Sequence, residues 1–242
     1  MSISFPSIIR SGIYSPAEST AIMGTMCMDD ELSAPMIRAF AKAQADLNAK
    51  TDDGETLYHY AVRQRKLKLI ETLHECGGDL HTLNESGLKA LHYAGMVDDR
   101  KFLEYFMHQG FDINDQGEST KTTLMFAAFA DNPNIVTQVL EFGADPYIKD
   151  IDSNSWTSLH IAIEGQSHDA LKVMLANGID PNIQSDDNIT PLHWAAFKDD
   201  CPSIRLLLKH GADKHAYTMM GETAWELASP ETRRTFPQLK AS

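Results

Sequence analysis

Apolar residues along this chain come in pairs of short runs at helical spacing. Leu192, Ala195 and Ala196 make one run; Ile204, Leu207 and Leu208 fall at i, i+3, i+4 in the next, and Gly211 follows. The same order recurs in Ile135-Val136-Val139-Leu140-Gly143 and in Leu171-Met174-Leu175-Gly178. The pattern predicts two short helices joined by a turn, the second stopped by a glycine in the left-handed conformation that closes many helices. A polar stretch separates each such unit from the next.

The units repeat in register. The segments ETLYHYAV, KALHYAG, TTLMFAA, TSLHIAI, TPLHWAA and TAWELA align on His59, His92, Met125, His160, His193 and Glu226, in steps of 33, 33, 35, 33 and 33 residues. Gly77, Gly110, Gly143, Gly178 and Gly211 each lie 18 residues after the aligned residue. Two markers in phase over five units resemble the ankyrin family, whose template is a unit of about 33 residues with a T-P-L-H-x-A signature. Thr190-Pro191-Leu192-His193 matches that signature in full; Met125 and Ala90 depart from it. Thr190 suits a helix N-cap and Pro191 the first helical position, where a missing N–H costs nothing.

The resemblance implies an all-α repeat solenoid of stacked ankyrin helix-turn-helix units with β-hairpin fingers. In this reading, residues 1–17 are an N-terminal extension and 18–50 a degenerate capping repeat. Five repeats follow at 51–83, 84–116, 117–151, 152–184 and 185–217, and 218–242 form a C-terminal cap. One unit cannot bury its apolar face alone, so stacking makes the core and the terminal units turn polar faces outward.

The net charge of -13 disfavours nucleic acid, whose phosphates want clustered Lys and Arg. The longest apolar run, Leu124 to Ala130, is too short to span a bilayer. No signal-peptide run opens the chain and no lipidation motif ends it, so no membrane association is expected. Cys27, Cys76 and Cys201 form no CxxC pair and read as reduced thiols, which favours a cytoplasmic location, or delivery into a host cell without a cleavable signal. Of ten histidines, His59, His92, His160 and His193 are template positions expected to tie neighbouring units through hydrogen bonds. No zinc-like or EF-hand spacing is present, nor GxSxG, HExxH, P-loop or GxGxxG, so no metal, cofactor or catalytic residue is expected.

The resemblance implies a non-enzymatic protein–protein interaction module, monomeric on its own: an adaptor or scaffold binding a basic or apolar protein surface by its concave face and finger tips. The alternative is an inhibitor, immunity protein or delivered bacterial effector that occludes a target enzyme. Carried over unit by unit, the family's variable positions give Asp52, Asp53, Glu55, Glu85, Leu88, Met96, Val97, Glu118, Phe129, Trp156, Asp186, Asp187, Ile189, Phe197, Met219 and Met220. Leu88, Met96, Val97, Phe129, Trp156, Ile189 and Phe197 should form an exposed apolar stripe within an acidic rim. Packing between units competes for Phe129 and Phe197 more than for Trp156. The two extra residues of the 35-residue step fall in IKDIDSNSW, and insertions in such arrays map to loops.

Overall fold

The computed structural model describes residues 30–51 and 53–240. Helix α1 spans Asp30–Lys42 and is followed by six pairs of short helices. These are α2 Leu57–Arg63 with α3 Leu67–Glu75, α4 Ala90–Ala94 with α5 Arg100–His108, and α6 Thr123–Phe129 with α7 Pro133–Glu141. Then come α8 Ser158–Glu164 with α9 His168–Ala176, α10 Pro191–Phe197 with α11 Cys201–Lys209, and α12 Ala224–Leu227 with α13 Pro230–Thr235. The described residues fall into two compact units, one of residues up to Phe106 with Gly117–Ser119, the other of Met107–Gln116 and Thr120 onward.

In the first unit, Tyr58, Leu69, Ile70, Leu73, Leu91, Phe102 and Phe106 are fully buried. In the second, the small faces Ala127-Ala128, Ala162 and Ala195-Ala196 have no exposure and let α6, α8, α10 and α12 pack in series. The caps follow the sequence. Thr190 accepts from the His193 N–H with Pro191 at the first helical position, and Gly143, Gly178 and Gly211 all have positive φ.

His59, His160 and His193 fasten one repeat to the next. His160 Nδ1 accepts from Thr157 Oγ1 at 3.0 Å, so Nε2 carries the proton that it donates to the Ile189 carbonyl at 3.0 Å. His59 does the same with Thr56 and the Leu88 carbonyl, and His193 with Thr190 and the Ala216 carbonyl. Burial pushes His59 and His160 down to about 4, and lowers His193 as well. Met125 has no such bond to give; Glu226 in the last unit caps its own helix instead, accepting from the Thr223 N–H at 2.7 Å.

The expected β-hairpin fingers are hairpins in outline only. Among the described residues no strand forms, just isolated bridges at Lys50–Thr56 and Asp150–Trp156. The arms are too short for a ladder: Thr51, Asn84, Ser185 and Thr218 each donate a backbone N–H to the carbonyl four residues on. Asp150 donates to Trp156, six residues on, which locates the two-residue insertion in this turn. Asn154 and Ser155 hold it with φ of 53° and 57°. Finger tips are also joined by main-chain bonds, from Glu85 N to Gly54 O, Glu118 N to Gly87 O and Met219 N to Asp187 O.

Candidate interaction face

In the second unit the residue after each signature position and the residue three further on share a helix face. These are Phe126 with Phe129, Ile161 with Glu164, and Trp194 with Phe197, whose rings stack at 5.2 Å. Trp194 also meets Trp156 at 4.7 Å, and Trp156 lies parallel to His160 at 6.4 Å. The result is an aromatic ridge across α8 and α10. Glu164 holds it in place: it accepts from Trp194 Nε1 at 3.1 Å and pairs with Lys198 at 3.1 Å, while the Lys198 ammonium lies 5.7 Å from the Trp194 ring centroid.

A cavity opens on each side of the ridge. The smaller, about 290 Å³, is walled by Met125, Phe126, Phe129, Trp156 and Ile161. The larger, about 540 Å³, is walled by Ile189, Trp194, Phe197, Met219, Met220 and Leu227, with Asp187 and Glu222 at its edge. Phe129 and Phe197 are each 57% exposed, Met219 68% and Met220 87%. Gly165 lets Phe129 lie close: a Cβ there would stand 3.1 Å from the Phe129 ring.

The carboxylates beside the smaller cavity are already engaged. Burial alone would raise Asp150, but bonds from Thr120, Lys121 and Ser153 outweigh it and hold the carboxyl below the usual range; Lys121 Nζ is 2.9 Å away. Asp186 lies low because Lys149 donates to it at 2.7 Å and Ser155 donates as well. Asp187 and Glu222 have no ion-pair partner among the described residues.

Several sequence expectations need correcting. Trp156 is 8% exposed, and Leu88, Val97 and Glu55 are buried too, so none of them belongs to an exposed stripe. Leu88, Trp156 and Glu55 all precede a signature position by four residues. The Leu88 carbonyl accepts from His59, which draws that segment against the preceding repeat. Glu55 is tied by Asn84 at 3.3 Å and by the Tyr93 hydroxyl. Trp156 packs on Met125 and Ile161. Val97 turns inward just after α4. Asp186 is exposed, yet its oxygens are engaged in bonds between neighbouring fingers.

Of the remaining positions, Asp53, Glu85, Met96 and Glu118 are exposed in the first unit, and Asp52 lies outside the described residues. In the second unit Phe129 lines the smaller cavity, and Asp187, Ile189, Phe197, Met219 and Met220 come together at the larger. The variable-position template passes over Phe126, Ile161, Trp194 and Leu227. Their shared signal is the x of T-P-L-H-x-A, one residue past each aligned position.

A family model described as "Ankyrin repeats (3 copies)" matches residues 25–117, 58–150, 91–185 and 124–218. The chain belongs to the ankyrin-repeat family. BCL-6 corepressor-like protein 1 of Homo sapiens is 36% identical to this ankyrin-repeat chain over 85 residues, 35% of the chain and 5% of that protein. The Ankyrin repeat and LEM domain-containing protein 1 homolog of Caenorhabditis elegans is 36% identical over 76 residues, 31% of the chain and 11% of that protein. The match thus spans a small fraction of these relatives' own lengths. The crystal structure of the ankyrin repeat domain of Bcl-3 superposes with a TM-score of 0.73 at 21% identity, covering 93% of this chain and 98% of that one; this likeness shows the fold. Ankyrin-repeat domains are in general protein–protein interaction modules.

Proposed function

We propose that this ankyrin-repeat chain is a non-enzymatic adaptor or scaffold that binds a partner protein through the finger-side face of its second unit. One observation carries the reading: Phe129, Phe197, Met219 and Met220 are large, apolar and mostly exposed, and all line cavities beside an aromatic ridge whose Trp194 is hydrogen-bonded to Glu164. Clustered exposed aromatic and Met side chains mark interaction surfaces, because leaving them in water is costly unless a partner covers them. A reducing, cytoplasmic compartment is part of the proposal, and the free thiols of Cys76 and Cys201 support it.

The test is affinity capture from source-cell lysate with the wild-type chain, with Phe129→Ser plus Phe197→Ser, and with Lys172→Glu on the exposed side of α9. All three must melt at similar temperatures. Specific partners should be lost with the double variant and kept with Lys172→Glu. The opposite pattern would place binding on the outer helices and overturn the reading.

A further inference from the structure

We infer that the occupant of this face is an extended segment of a partner protein that carries two apolar side chains six residues apart, with Arg or Lys beside one of them. The inference rests on the reading that the finger-side face binds protein, and it adds the chemistry and spacing of what is bound.

The spacing follows from the geometry. Helices α6, α8, α10 and α12 pack in series. The smaller cavity belongs to α6 and α8, and the larger to α10 and α12. They are two helix layers apart, and neighbouring helices pack about 8–10 Å apart, so the cavities are roughly 16–20 Å apart. Extended chain advances about 3.3 Å per residue, so five or six residues span that gap. Side chains of an extended segment alternate between faces, so two anchors on one face stand an even number apart, which selects six.

The interruption between the cavities selects an extended occupant over a helix. A helix lays a continuous apolar stripe into a continuous groove, whereas an extended segment drops separated side chains into separate pockets. Here Trp194 and Phe197, backed by buried Trp156, stand between the two cavities as a ridge. Glu164 and Lys198 fix the Trp194 indole, so the ridge does not readily fold away.

Charge selects the neighbour of one anchor. Beside the smaller cavity, Lys121 already pairs with Asp150 and Glu164 with Lys198. At the larger cavity Asp187 and Glu222 are unpaired among the described residues, in a chain of net charge -13. A cation placed there gains two carboxylates, and the aliphatic stem of Arg or Lys can lie along Met219 and Met220. The basic residue therefore belongs beside the anchor that enters the larger cavity.

The experiment selects a phage-displayed library of random dodecapeptides on the full chain, then measures enriched sequences by fluorescence anisotropy. Enriched peptides should share apolar residues six apart, one of them flanked by Arg or Lys. Phe197→Ser should weaken them at least about tenfold, the loss expected of an interface anchor. Asp187→Asn with Glu222→Gln should weaken them severalfold at low salt and little at high salt. No enrichment, helical spacing of the anchors, acidic flanks, or indifference to Phe197→Ser would each overturn the inference. So would sedimentation showing self-association that Phe197→Ser abolishes, since the occupant would then be a second copy. If lysate partners depend on Phe129 and Phe197 while no such peptide is enriched, the interaction reading stands and the segment chemistry falls; if both assays fail, both fall.

Discussion

The indole of Trp156 occupies a position that the repeat pattern assigns to a variable contact residue, yet it packs among Met125, Ile161 and Trp194. Phe129 and Phe197, for which interior packing competed more strongly, are the residues that face water. The sequence could locate these positions but not orient them, because orientation depends on what each side chain meets in the neighbouring repeat. Where His59 is present, it holds the carbonyl of Leu88; where Met125 replaces the histidine, the neighbouring ring itself packs down onto the methionine. Trp156 therefore acts in stability. Trp156→Ala should lower the unfolding free energy by about 3–5 kcal/mol, the usual cost of truncating a buried aromatic residue. Chemical denaturation checks this, and a loss well under 1 kcal/mol would return Trp156 to the surface.

At the scale of the element, each helix pair was legible because cap, small-residue face and terminal glycine recur in one order. Leu192, read as buried from that order, has 1% exposure in α10. Leu192→Ala should cost about 2–5 kcal/mol by denaturation. The fingers were less legible: a polar stretch after a glycine does not reveal whether its arms form a ladder. The long finger depends on buried Asp150, held by Thr120, Ser153 and Lys121. Lys121→Met would leave that carboxylate without its cation and should cost about 1–3 kcal/mol, as for a buried group that loses a partner. Hydrogen exchange at residues 150–156 should rise in the same variant. Unchanged stability with unchanged exchange would show that the hydroxyls alone suffice.

For the whole molecule, the histidine ties make stability depend on pH. His59 and His160 are near 4 when folded and near 6.5 when unfolded. Between those values the unfolded chain binds protons that the folded chain refuses, so stability falls as pH drops through that window. Each histidine should contribute on the order of a few kcal/mol to the fall. Thermal unfolding at pH 7.5 and 4.5 should show a large decrease, and the slope should flatten in His160→Gln. Equal melting temperatures at the two pH values would mean that the rings are not held neutral. The carboxylates of Asp150 and Asp186, held below the usual range, act in the same direction at still lower pH.

Some of the bonds that join finger tip to finger tip, such as Met219 N to Asp187 O, involve only main-chain atoms. Every non-proline residue carries those atoms. Where a tip is joined in this way and its side chain is otherwise unengaged, as at Met219, the side chain can be exchanged while the spacing between tips is preserved. Such a surface can change its choice of partner by point substitution without a compensating change in the interior. The same property suits Met219 and Met220 to library randomisation, with selection acting on recognition alone.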